Sequence, residues 1–212
     1  MKAVVFVDVQ NDFVKGGVLG FGYPEKDNVP EILKFAEECR AKGYVLYATA
    51  DTHFKTQTED PMRLENGQLG YLHTLEGKRL PVEHCLEGTE GHKIVEGLVK
   101  DKKRNVIIAQ SHIIDKHTFG SFDLLDRICD DFGEEDDCTI GNYNEPLDEI
   151  VLCGYCLSIC VLANAVMLRA RFPNTKITVV SGLCGDVDKT AFDAAVKVLQ
   201  MQQIDVVEKI EG

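Results

Sequence analysis

The groups able to do chemistry sit where apolar runs break off. Glu149-Ile150-Val151-Leu152-Cys153 is a short apolar run suited to a buried strand, Gly154-Tyr155-Cys156-Leu157-Ser158 interrupts it, and Ile159 to Phe172 is apolar with helical spacing. The spacing predicts a strand, a sharp turn and a helix with Cys160 in its first turn. There the helix dipole and unpaired backbone N–H groups favour an anion and lower a thiol's pKa, which makes Cys160 the candidate nucleophile. Three further break points carry polar groups: Asp8 ends the first apolar run, Asp51 and His53 follow the second, and Lys116 comes soon after the third. A carboxylate can take a thiol's proton while an ammonium holds the charges and favours the thiolate. Taken singly, Cys160 could be a small core residue, Asp8 a turn cap and Lys116 a surface lysine. Their recurrence at successive strand ends is what argues for a site.

The elements that must position these residues alternate in type. Lys2 to Val7 is a near-continuous apolar run, and such runs are buried on both faces, as in parallel sheets. Asn28-Val29-Pro30 opens a helix with Ile32, Leu33, Phe35 and Ala36 on one face, and Gly43 stops it. Strands are expected at Tyr44 to Ala50, Asn105 to Gln110, Glu149 to Cys153, Lys176 to Val180 and Ile204 to Val207. Helices are expected from Glu90 to Val99, around Phe122 to Asp131, and from Lys189 to Gln200 with Ala191, Ala194, Ala195 and Val198 inward. Phe54 to Glu90 is irregular and long for a loop, and Asp130 to Asp137 is an acidic surface turn. The alternation predicts a doubly wound three-layer α/β/α fold with a six-stranded, mostly parallel sheet in the order 3-2-1-4-5-6. In such a sheet the strands' carboxyl ends converge on one rim, where ligands bind.

Composition sets the frame. The 212 residues, 44% hydrophobic and 27% charged, suit one globular domain over 1–212 that needs no covalent staples. A net charge of −12 argues against nucleic acid or an anionic membrane as partner. Eight cysteines, three of them within eight residues on one strand-turn-helix, fit a reduced cytoplasmic protein better than a disulfide framework. The chain opens on a strand pattern and contains no long apolar run or internal repeat.

A family resemblance rests on several motifs in order. These are Val7-Asp8-Val9-Gln10-Asn11-Asp12-Phe13 with Gly16-Gly17 and Leu19-Gly20, then Asp51-Thr52-His53, then Leu80-Pro81-Val82-Glu83-His84-Cys85 with Gly88-Thr89-Glu90-Gly91. Lys116-His117-Thr118-Phe119 and Gly154 through Val161 complete the set. Over essentially its whole length the chain resembles the isochorismatase-like cysteine hydrolases, and among them the nicotinamidase and pyrazinamidase branch. The resemblance implies a triad of Asp8, Lys116 and Cys160, attack on a small amide through a thioester, and an oxyanion hole from the N–H groups of Cys156 and Cys160, with a cis peptide at Tyr155-Cys156. It also implies a divalent ion on Asp51, His53 and His84, a donor set that suits zinc first, or iron or manganese. His73 or Glu76 could add a ligand. Family members commonly form dimers or larger homo-oligomers.

Two departures bear on the substrate. The branch carries a tryptophan against the pyridine ring; this chain has no tryptophan, and Leu80 stands in its place. Phe13 is then the obvious ring partner, and Phe13, Leu80 and Tyr155 are the expected substrate contacts. The Thr-Asp that precedes the nucleophile in the branch is Leu157-Ser158 here. An isochorismatase-type or N-carbamoyl amide hydrolase, a cluster held by Cys153, Cys156 and Cys160, and a catalytically silent binding protein are the rival readings.

Overall fold

The computed structural model describes residues 1–56, 67–100, 105–132 and 147–210. Part of the irregular segment, 57–66, and the acidic residues 133–137 lie outside them. Six strands form one sheet: β1 (Lys2–Val7), β2 (Val45–Asp51), β3 (Ile113–Lys116), β4 (Glu149–Gly154), β5 (Lys176–Cys184) and β6 (Asp205–Val207). Their order is β3-β2-β1-β4-β5-β6, as expected, and every pairing is parallel.

The apolar runs explain the centre. Ala3 to Val7 of β1 and all six residues of β4 are buried, because helices lie on both faces of the sheet. Each fully buried Val, Leu, Ile or Phe there contributes about 1.5–3 kcal/mol relative to an exposed one. The covering helices are α1 (Val29–Ala41), α4 (Phe122–Phe132), α5 (Leu162–Arg171) and α6 (Lys189–Met201), with two short ones, α2 (Leu75–Arg79) and α3 (Glu96–Val99). Ile32, Ala36 and Cys39 form the buried seam of α1. None of the helices, among the described residues, is long and apolar enough to cross a membrane.

Four expectations are corrected. The third strand is not Asn105 to Gln110: Ile107 and Ile108 are buried from an irregular segment, and the edge strand is the next four residues, Ile113–Lys116. Burial outside the sheet mimics a strand in the sequence. The helix from Glu90 shrinks to α3 because its first residues bond elsewhere: Asn11 donates to the Lys93 carbonyl, Asp12 to that of Gly91, and Gln10 bridges Ile94. Helix α6 is turned from the expected face, with Ala195 and Leu199 buried, Phe192 and Val196 partly so, and Ala194 and Val198 exposed. The helix after β4 does not start regularly either. A π-helical turn, Leu157–Val161, precedes α5.

Candidate active site

The carboxyl ends of β1 to β4 deliver the expected groups to one place. Asp8 follows β1 with φ +51°, a conformation non-glycine residues rarely hold, and it is fully buried. Thr49 of β2 fixes it, its hydroxyl donating to Asp8 Oδ1 at 2.6 Å. Gly154 ends β4 at φ +129°, and a Cβ there would lie 2.0 Å from the Val7 carbonyl oxygen, so no larger residue fits beside β1.

Lys116, the last residue of β3, ties the set together. Its Nζ lies 2.8 Å from Asp8 Oδ2, 3.0 Å from Asp51 Oδ1 and 3.6 Å from Cys160 Sγ. Burial works against its charge, but Asp8, Cys160 and Asp51 outweigh it and hold the ammonium pKa well above its ordinary value. Burial pushes the Asp8 carboxyl up, opposed by Lys116 and helped by Asp51. Asp51 goes the other way: burial is overcome by Lys116, His53 and His84, and its carboxyl stays well below the usual range. The two acids share one lysine, and Asp51 has two imidazoles besides. Asp8 is therefore the better proton acceptor.

The thiol departs from expectation. Burial drives the Cys160 pKa well above its ordinary value; Lys116 lowers it, but Asp8 and Asp51 raise it. The expected lowering by the helix end and by Lys116 does not prevail, because two carboxylates face one ammonium in a dry corner. Cys160 rests as a thiol beside a carboxylate ready for its proton.

The turn leading to Cys160 is held from behind. The Tyr155-Cys156 peptide is cis, as the resemblance implies. Leu157 donates its N–H to the Gly185 carbonyl, and Ser158 donates its own to Asp186 Oδ2. The Cys156 carbonyl accepts from Ile159 and Val161, passing over the amide of Cys160 between them. Asn164, buried on α5, donates to the carbonyls of Cys160 at 2.8 Å and Phe119 at 3.0 Å and accepts from the Ser121 amide. Sequence reasoning missed Asn164 and Asp186. The signal for Asn164 was a polar residue on the helix's apolar stripe.

A cavity of about 410 Å³ opens above these groups. Cys160, Cys156, Asp51 and His84 reach it, with walls that include Phe13, Phe21, Leu80, Phe119, Ile159 and Val187. No lysine or arginine is among the described residues lining it. Of the three expected substrate contacts, Phe13 and Leu80 line the cavity and Tyr155 does not. Its ring is buried against Gly185, where a Cβ would meet it at 2.3 Å, and stacks on Phe21 at 6.4 Å. The alternation along the chain past Gly154 sends Tyr155 into the core and Cys156 to the cavity.

Beside the thiol, Asp51, His53, Glu76 and His84 converge, with one ligand atom from each lying within 4.8 Å of the others. Gln10 pins Asp51, accepting from its N–H at 2.8 Å and donating to its carbonyl at 2.9 Å. His84 Nδ1 is 2.8 Å from the Val82 carbonyl, which leaves Nε2 with a lone pair toward the cluster. His53 Nε2 is buried without a hydrogen bond, although Asp51 Oδ2 is 2.8 Å away. Burial and the charge of Asp51 raise the Glu76 carboxyl, so two acids crowd one dry spot. An orphaned imidazole nitrogen and converging carboxylates are what a divalent cation satisfies. Glu76, from α2, joins the cluster and His73 does not.

The comparisons agree with this fold. Among solved structures, the chain superposes on a nicotinamidase/pyrazinamidase from Bacillus subtilis with TM-score 0.70 and 19% identity, covering 97% of this chain and 98% of that one. The pyrazinamidase of Pyrococcus horikoshii in complex with zinc gives TM-score 0.66 and 20% identity, covering 97% and 98%. Yeast nicotinamidase bound to the inhibitor nicotinaldehyde gives 0.67 and 18%, covering 99% and 100%. At such identities the likeness establishes the fold. No protein with a curated description matches in sequence. The isochorismatase domain pattern, however, matches residues 2–211, and the chain belongs to the isochorismatase family.

Proposed function

We propose that this isochorismatase-family hydrolase is an amidase with Cys160 as nucleophile, acting on a small neutral aromatic carboxamide, with nicotinamide as the first candidate. The observation that carries the reading is Lys116 Nζ, 2.8 Å from Asp8 and 3.6 Å from the Sγ of Cys160, the cysteine that reaches the cavity. Asp8 accepts the thiol proton as Sγ bonds to the amide carbon, and the carbonyl π pair moves onto oxygen, facing the amides of Cys156 and Cys160. Collapse expels the nitrogen, which takes the proton from Asp8 and leaves as ammonia. Asp8 then deprotonates water, which cleaves the thioester and restores the thiol. Lys116 keeps its charge throughout and offsets that of Asp8.

Phe13 and Leu80 would flank the ring, helped by Phe21 and Phe119. The four-residue cluster fits a divalent ion, zinc before iron or manganese, held by Asp51, His53, Glu76 and His84. Such an ion would bind the substrate's ring nitrogen or a water and so orient the amide. The absence of lysine and arginine among the described lining residues favours a neutral amide over isochorismate-type or N-carbamoyl acids, whose carboxylates need a cation. A catalytic thiol works only while reduced, which favours the cytoplasm, and a single domain acting as a homo-oligomer completes the reading; light scattering tests the last point. The deciding assay is ammonia release across nicotinamide, pyrazinamide, carbamoyl amines and isochorismate-like ethers. Release from nicotinamide that vanishes in Cys160→Ala supports the reading, and turnover of the ethers alone overturns it.

A further inference from the structure

Asp186 is a carboxylate with no exposure to solvent, in the bend after β5, and among the described residues no cation pairs with it. Such a group is costly to bury unless donors surround it. Four do, and three come from the turn before Cys160. Oδ1 accepts from Cys156 Sγ at 2.8 Å, Ser158 Oγ at 2.7 Å and the Val187 amide at 2.6 Å, while Oδ2 accepts from the Ser158 amide at 2.9 Å. The same residue's backbone exchanges both hydrogen bonds with Tyr23, and its neighbour Gly185 accepts from Leu157 and donates to the Gly154 carbonyl. Any shift of the turn would strip a buried carboxylate of its partners.

We propose that Asp186 is the positioning residue of the oxyanion turn. Through Cys156 and Ser158 it fixes the segment carrying the amides of Cys156 and Cys160, and it supplies from the bend after β5 the carboxylate missing at Leu157-Ser158. The inference rests on the amidase reading in one respect, that these amides meet an oxyanion. Asparagine at 186 would turn an NH2 group toward groups that now donate to it, loosening the turn while the triad keeps its own contacts.

The test compares wild type, Asp186→Asn and Ser158→Ala in three measurements. The first is kcat and KM on whichever amide wild type hydrolyses. The second is affinity for pyridine-3-carboxaldehyde, to which Cys160 Sγ adds at carbon while the thiol proton passes through Asp8 to the oxygen, giving a hemithioacetal. The third is alkylation by iodoacetamide, a displacement that builds no oxyanion. Asp186→Asn is expected to lower kcat about 100-fold with KM within about threefold, and to weaken aldehyde capture similarly, while alkylation stays within about twofold. Ser158→Ala, which leaves the carboxylate in place, is expected to follow the same pattern at about tenfold, and it carries the test if Asp186→Asn does not fold. Unchanged aldehyde affinity in both variants, or equal loss of alkylation, overturns the role. Wild type that captures the aldehyde but hydrolyses no amide overturns the substrate reading alone, and the aldehyde arm still decides on Asp186. Wild type that does neither overturns both.

Discussion

The two ends of the sheet hold the same chemical parts in different proportions. At the amino end, Glu149 of β4 accepts from Lys176 at 3.0 Å and from the Tyr44 hydroxyl at 3.0 Å, with Lys2 at 3.2 Å. One carboxylate faces two ammonium groups, whose side chains are 49% and 56% exposed. Burial would raise the Glu149 carboxyl, but those partners outweigh it and hold it below its ordinary value. At the carboxyl end the ratio is reversed: two carboxylates and a thiol share Lys116, whose side chain is 1% exposed. There Asp8 is driven up and Asp51 down. A surplus of cations in water makes a structural ion pair, whereas a deficit of cations in a dry corner pushes acids apart and leaves one ready to take a proton.

The sharpest way to break this comparison is to remove one acid from each end. Cys160→Ala is expected to abolish ammonia release, and Asp8→Asn to cut kcat by about 10³- to 10⁴-fold, since the thiol proton then has no acceptor. Glu149→Gln is expected to leave kcat within about twofold, because a partly solvated pair far from the chemistry contributes little. Steady-state kinetics on the three variants decide it. A large loss in Glu149→Gln would mean that the amino-end cluster is also coupled to the site.

Lys116 tests the shared cation. Lys116→Met leaves Asp8 and Asp51 buried against each other, so stability is expected to fall by about 3–5 kcal/mol, measured by urea unfolding. The thiol loses the one neighbour that lowers its pKa, and alkylation by iodoacetamide at neutral pH is expected to slow by at least about tenfold. Removing Lys176, which is half in water, should cost no more than about 1 kcal/mol.

How much of this contrast could be read from the chain follows from what each feature depends on. The apolar runs of β1, β2 and β4 and the acids that end them are local patterns, and so Asp8 and Asp51 were legible. Strand β3 was not, since its four residues, Ile113–Lys116, look like a loop while Ile107 and Ile108 before them are buried outside the sheet. Asp186 reaches Cys156 and Ser158 across 30 and 28 positions of the chain, and Asn164 reaches Phe119 and Ser121 across 45 and 43. Whether Tyr155 or Cys156 faces the cavity is equally hard to read, because one residue's step past Gly154 reverses inward and outward. The thiol's pKa failed for a related reason. Local sequence suggests a helix end that would lower it, but burial and the two acids that raise it are properties of the assembled corner.

The cluster beside the triad sharpens the comparison at smaller scale. If Asp51, His53, Glu76 and His84 hold a divalent ion, elemental analysis of the purified protein should find about one per chain, and a chelator should lower thermal stability. Stripping the ion is expected to raise KM for pyridine carboxamides about tenfold or more while alkylation of Cys160 changes less, because orientation is lost and the thiol's own partners remain. His53→Ala and Glu76→Gln should reproduce that split. A metal-free protein with full nicotinamide turnover would leave the cluster without a role.

The smallest expected effect lies back at the amino end and depends on sign. Glu149 is held below its ordinary value of 4.5, so the folded protein gains stability from it above that pH and loses the gain as pH falls through the folded-state value. Asp8, raised by burial, works the other way: its charged form is disfavoured in the fold, so it adds no stability on raising the pH. The Tm of wild type should therefore decline more steeply than that of Glu149→Gln as pH drops below 4.5. The separation is bounded by about 1 kcal/mol, because Lys2 and Lys176 are half in water and salt screens them. Raising ionic strength should close the gap. A gap that persists in high salt would mean that the Tyr44 hydroxyl, and not the two lysines, holds Glu149 in its charged form.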